Sequence, residues 1–363
     1  MRVLVVNTGS SSVKLRLLGP DDELLCREDP PLDEGAVSEE KLAAAVEGFS
    51  GVDAVGHRVV HGGGEFSGAA VLDDGTVERL RGLTGLAPLH QPKALSGIDA
   101  MRRVLPETPQ AACFDTAFHV NLPPEAATYA IPREWRERYP LRRYGFHGIS
   151  HAYAVRRAAE MLGGDPGRLV TAHLGAGASL AAVRRGRCVD TTMGFTPLEG
   201  LVMNSRSGDV DPGLVLWLLR DAGFGAEEVA EGLERHGGLA GLTGTSDMRD
   251  VVRRAEGGDA DCVLGLDVYL HRLRAKIAAM AAALGGIDTL VFTGGVGENQ
   301  PVVRAGAAER LGFLGVGLDP EANDAARADA DITGPAAFVR TLVITSREDI
   351  KIARDVRARL GGR

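Results

Sequence analysis

One short unit occurs twice in the chain, and the repetition restricts the folds open to it. Val3 to Val6 is an apolar run and Thr8 to Ser12 a Gly- and Ser-rich turn. Val13-Lys14-Leu15-Arg16-Leu17-Leu18 then alternates with the period of a half-buried strand. Leu169 to Ala172, the turn Gly175 to Ser179 and Leu180 to Val183 repeat the arrangement, which continues through Arg185-Gly186 to Cys188-Val189-Asp190. Two β-hairpins of one design predict a duplicated fold. Each copy offers a loop whose backbone N–H groups can cradle phosphate oxygens. A third Gly-rich turn, Thr293 to Asn299, follows the strand-like run Leu290 to Thr293.

Between these landmarks strands and helices alternate, which predicts an α/β architecture. An extended stretch covers Ala54 to Val60, a helix starts near Pro92 and ends before Pro106, and a strand covers Ala111 to Phe114. Ser150 is a candidate N-cap for a helix that stops at Gly163-Gly164. Leu264, Val268, His271, Ala275 and Ala279 share one helical face in a segment ended by Gly285-Gly286, and another helix follows Pro301. A last helix, about 349–360, is expected to return the chain to its first domain. Pro20 to Ser50 shows no strong period.

Composition narrows the partners. With 363 residues the chain is long enough for two domains. No apolar run reaches the roughly 18 residues of a membrane span, and the start lacks the longer apolar core of a signal peptide. No membrane association and cytoplasmic residence are therefore expected. A net charge of −8 argues against a nucleic-acid surface and for small-molecule partners. The scattered Cys26, Cys113, Cys188 and Cys262 form neither a zinc pattern nor a disulfide framework.

The cationic segment 142–151, with Arg58 and Arg206 in equally unusual Gly-rich and apolar surroundings, points to chemistry on a phosphoryl group. The glycines of 293–299 do not spell a dinucleotide fingerprint, and no Gly-Lys pair supplies a P-loop. Paired phosphate-gripping hairpins look like those of the sugar kinase, actin and Hsp70-type superfamily. That likeness implies two duplicated ribonuclease H-like domains with an active-site cleft between them. The words GHRVVHGG from Gly56, FDTAFH from Phe114, YGFHG from Tyr144, TMGFTPLEG from Thr192 and SRSGD from Ser205 resemble the acetate kinase family in order and wording. The segments 7–14, 292–299 and 348–355 extend the match almost to the C-terminus.

The resemblance implies transfer of the γ-phosphoryl of ATP to acetate, with propionate the second choice. It assigns catalysis to Arg58, Asp115, His147 and Arg206, with His90 and His173 lining the cleft. Acid binding falls to Arg58, Val60, Leu89, Phe146 and Pro197. Nucleotide contacts fall to Ser10, Ser12, Lys14, His173, Gly175, Gly177, Asp247, Met248, Arg249, Gly295, Val296 and Asn299. Mg²⁺ (or Mn²⁺) would lie near Asn7, Asp115 and Glu348, although Asp115 is equally suited to orienting an arginine. His57, His61, His119 and His151 are expected to be structural. The resemblance also implies a homodimer, and domains of 1–117 plus 349–363 and 118–348. Ala176 stands where the family usually has Asn, predicting weaker nucleotide binding, and Asn204-Ser205 replaces the usual Gly-Thr. A phosphoanhydride hydrolase and a non-catalytic nucleotide-dependent protein are the rival readings.

Overall fold

The computed structural model describes residues 1–9, 12–32, 37–88 and 90–361, in two compact units. The first comprises Met1–Val120, Phe146–Tyr153 and Arg347–Arg363, the second Asn121–Gly145 and Ala154–Ser346. The segment Phe146–Tyr153, expected in the second domain, groups with the first because Ile149 packs among Val3, Val5, Ala111 and Ile352.

Each unit is built on a six-stranded sheet. The first contains β1 (Val3–Thr8), β2 (Val13–Leu18), β3 (Leu24–Glu28), β4 (Ala54–Val59), β5 (Ala70–Val71) and β6 (Gln110–Phe114) in the order β3-β2-β1-β4-β6-β5. The second contains β7 (Arg168–Leu174), β8 (Ala178–Arg184), β9 (Arg187–Thr191), β10 (Thr289–Thr293), β11 (Ala330–Asp331) and β12 (Arg340–Val343) in the order β9-β8-β7-β10-β12-β11. Both sheets step through two antiparallel pairs, two parallel pairs and a final antiparallel edge. The two hairpins are thus homologous corners of a duplicated fold.

Period-two alternation divides the first sheet between two cores. Leu4 and Val6 face one way, onto Leu42 and Val46 of the helix Glu39–Glu47 and Met101 of the helix Gln91–Val104. Val3 and Val5 face the other, onto Ile352, Ala353 and Val356 of the C-terminal helix Glu348–Leu360. The last helix therefore packs into the core of the first unit. In the second unit the helix Ala260–Leu284 lies on β7 and β8 through residues such as Tyr269, Leu273, Ile277 and Met280.

Three local expectations are corrected. The face Leu264, Val268, His271, Ala275 and Ala279 is not the core face: Leu264 is 57% exposed, and the buried stripe lies beside it. Apolar residues surround that helix, so periodicity alone could not select a side. The helix expected from Ser150 begins at Gly148. The turn after Thr293 is itself a helix, Gly294–Asn299. The stretch 20–50 holds β3 and the helix Glu39–Glu47, capped by the Ser38 side chain.

Candidate active site

In the first unit the polar residues gather where parallel strands end. Val6 is in register with His57 and Val59 with Phe114, so Asn7, Arg58 and Asp115 occupy neighbouring positions at the C-terminal edge of β1, β4 and β6. Such edges are where open α/β sheets bind ligands. Arg58 Nη2 donates to Asp115 Oδ2 at 2.8 Å and Nε reaches both carboxylate oxygens at 3.2 Å. Glu348, first residue of the C-terminal helix, places Oε2 3.4 Å from Arg58 Nη1. Burial disfavours the Arg58 charge, but Asp115 and Glu348 more than offset it and hold its pKa above the usual value. Burial pushes the Asp115 carboxyl up to about 6 against the pull of Arg58. Both suggested roles of Asp115 remain compatible with this geometry, and the arginine-orienting contact is directly visible.

His147 has a left-handed backbone, φ 56°, uncommon for a residue with a side chain. Its neighbours fix it there. The Gly148 N–H donates to the Asp115 carbonyl at 2.8 Å, and a Cβ on Gly148 would lie 2.2 Å from that oxygen. On the other side His119 Nε2–H donates to the Phe146 carbonyl at 3.0 Å, while the Phe146 ring meets His61 edge-on at 5.4 Å. Phe146 is buried and Val60 half-buried. Burial lowers His57, His61 and His119 to about 4, so they are neutral at pH 7 and serve as hydrogen-bonding and packing groups. His57, for example, bonds Gln110 at 2.8 Å. Ser12 and the exposed Lys14 flank the first turn. Ser10 and Leu89 lie outside the described residues.

The second unit repeats the edge placement. His173, next to last in β7, is in register with Thr293, and Gly175 N–H turns back to the Gly177 carbonyl at 3.0 Å. Ala176 is exposed, and its carbonyl accepts the Asn204 N–H at 3.2 Å, so the two departures from the family wording touch each other. Gly294, at φ 79°, sits so close that a Cβ would fall 2.7 Å from the Leu174 carbonyl. The helix it opens leaves Gly295 and Asn299 exposed and Val296 half-buried. Asp247 caps the helix Met248–Glu256 and pairs with Arg249 at 2.6 Å. Met248 is buried, at 3% exposure.

Arg206 differs from Arg58. Its Nη1 donates to the Pro197 carbonyl at 2.7 Å, and among the described residues no carboxylate pairs with it. Burial lowers its pKa, with Glu234 opposing. Around it, Met203 N–H bonds the Arg206 carbonyl and Gly238, at φ 59°, approaches so closely that a Cβ would lie 2.2 Å from the Met203 carbonyl. Sequence reasoning passed over two further groups. Arg304 is fully buried and donates to the carbonyls of Gly297, Glu298 and Asn323, bracing the Gly294–Asn299 helix; it carries no motif that could have revealed it. Glu199, inside a recognised word, pairs with Arg143 and Tyr129.

Duplicated sheets with cations and Gly-rich loops at their strand ends define a two-unit α/β protein of the ribonuclease H-like type, equipped to handle anions. The Acetokinase family model matches residues 35–354. The chain belongs to that family. It is 44% identical over 395 aligned residues to an acetate kinase of Thermosipho melanesiensis, covering 98% of this chain and 97% of the relative. Two solved structures are similar over 98% of this chain and 99% of theirs. One is acetate kinase of Porphyromonas gingivalis (TM-score 0.90, 35% identity), the other a propionate kinase of Francisella tularensis (TM-score 0.92, 34% identity).

Proposed function

We propose that this chain is an acetate kinase, which transfers the γ-phosphoryl of ATP to acetate and runs in either direction. An acetate oxygen forms a bond to the γ-phosphorus as the bond to the β,γ-bridging oxygen breaks, giving acetyl phosphate and ADP. The observation that carries this reading is Arg206, a largely buried guanidinium held by a carbonyl and left without a carboxylate among the described residues. A desolvated cation of that kind favours an anionic ligand. Arg58 is the complementary case, aimed by Asp115 and Glu348, and His147 supplies a hydrogen bond to the moving phosphoryl. Two negative reactants meet, so fixed cations lower the barrier by cancelling repulsion and stabilising charge on the equatorial oxygens.

Asp115 and Glu348 converge on one guanidinium from different elements, and their oxygens, with the Asn7 amide, suit a hard cation that keeps most of its waters. They would hold Mg²⁺ or Mn²⁺, which when bound supplies charge neutralisation of the nucleotide phosphates. Ser12, Lys14, His173, Gly175 and Gly177 are assigned to the nucleotide phosphates. Asp247, Met248, Arg249, Gly295, Val296 and Asn299 are assigned to the nucleoside. Val60, Phe146 and Pro197 are assigned to the apolar part of the acid, as the family resemblance implies. The propionate kinase neighbour favours comparing both acids, since one methylene is worth only about 1–3 kcal/mol in an apolar pocket. Phosphate release from MgATP that is as fast without acetate as with it would favour a hydrolase instead.

Among the described residues no helix is long and apolar enough to cross a membrane, and cytoplasmic residence belongs to this proposal. So does a homodimer. The helix Pro212–Arg220 buries none of its side chains within the chain, leaving Leu214, Leu216 and Trp217 between 45% and 55% exposed. Apolar surface of this kind marks an interaction face.

A further inference from the structure

The loop 192–200, which carries Pro197, is tied down by a side-chain cluster that the phosphoryl chemistry leaves unused. Tyr129 donates its hydroxyl to Glu199 Oε2 at 2.6 Å and accepts the Phe195 N–H at 2.8 Å. Arg143 donates from Nη2 to the other Glu199 oxygen at 2.5 Å and from Nη1 to the carbonyls of Thr192 and Met193 at 3.2 and 3.1 Å. Its guanidinium carbon lies 5.5 Å from the centre of the Tyr129 ring. The N–H groups of Tyr144 and Gly145 both point at the Gly194 carbonyl, at 3.0 and 3.3 Å. A Cβ on Gly194 would fall 1.7 Å from Glu199 Oε2 and 2.1 Å from the Tyr129 hydroxyl, so the loop is drawn tight over the cluster.

The cluster has two consequences for the reacting groups. Pro197, assigned to the acid in the proposed reading, is also the residue whose carbonyl anchors Arg206. Whatever sets the path of 192–200 therefore sets this part of the proposed acid site and the anchor of the phosphoryl-facing guanidinium together. A charged, mostly buried network of this kind holds one geometry firmly when every member is satisfied. Misplacing a reactive group by about 1 Å can cost a hundredfold in rate.

We propose that Tyr129, Glu199 and Arg143 are positioning residues that shape the acid-binding loop, so that affinity for the carboxylic acid and selectivity by its length are set through them. The inference rests on the acetate kinase reading and specifies which part of the chain controls that site. Its test uses Tyr129→Phe and Glu199→Gln in the full chain, with MgATP and either acetate or propionate. In both variants KM for the acid rises at least about fivefold while KM for ATP stays within about twofold, and the acetate-to-propionate ratio of kcat/KM moves at least about threefold. A cluster that only stabilises the fold would lower Tm without that split. Unchanged acid KM and unchanged selectivity, or an equal rise in both KM values, overturns the inference. If Glu199→Gln does not fold, Tyr129→Phe, which removes a single oxygen, decides alone. An unaltered chain that makes no acyl phosphate removes the acid site and this inference with it, an outcome distinct from an active chain with insensitive variants.

Discussion

Arg58 is gripped by two carboxylates and Arg206 by one carbonyl, and the proposed reading gives them different tasks. A guanidinium fixed bidentately is pre-aimed, whereas one without an anion is free to take the substrate's. Replacing Asp115 with Asn keeps the shape but removes the charge that aims Arg58, and leaves Arg58 with Glu348 as its acidic partner. We expect kcat to fall by about a hundredfold or more, roughly 3 kcal/mol, with the far-UV spectrum unchanged; a kcat within about threefold of the unaltered chain would contradict the role. Asp115 and His147 were legible because they stand in long recognisable words. Tyr129 and Glu199 were not, although Glu199 lies in such a word, because the pair acquires meaning only on meeting across 70 residues of sequence. The burial of Met248 was equally hidden, since the letters do not show that this methionine faces the core.

The two hairpins were readable at the level of elements because strand alternation and Gly-rich turns are local signals, and both registers match. The long helix Ala260–Leu284 shows where that reading stops. Its buried stripe includes Gly265, where a Cβ would fall 2.3 Å from a Thr243 methyl, so close packing rather than hydrophobicity selects the face. A similar approach fixes the C-terminal helix: a Cβ on Gly56 would lie 2.7 Å from methyls of both Ile352 and Val356. Ile352 is fully buried between Val3, Val5 and Ala54. Ile352→Ala should cost about 2–5 kcal/mol in urea unfolding, and a loss under about 1 kcal/mol would mean that this helix does not complete the first sheet's core.

For the whole molecule, duplication was legible from two hairpins, whereas the return of Phe146–Tyr153 to the first unit was not, since it depends on long-range contacts. Three buried histidines make stability pH-dependent. His57, His61 and His119 are lowered from 6.5 to about 4 by burial, so the unfolded chain binds protons first as pH falls. Their contribution is complete above about pH 6.5 and is lost on descending toward 4, each on the order of 3 kcal/mol. Urea midpoints should therefore drop steadily from pH 7 to 4.5, and a flat profile would contradict this. The exposed helix Pro212–Arg220 makes a second prediction: Trp217→Asp should halve the mass seen by light scattering, and an unchanged mass would place any dimer contact elsewhere. The central claim is that phosphoryl passes from nucleotide to carboxylate, and trapping the product with hydroxylamine tests it most directly. With MgATP the chain should yield acyl hydroxamate from acetate, and from propionate to a different extent; no hydroxamate from either acid would contradict the account.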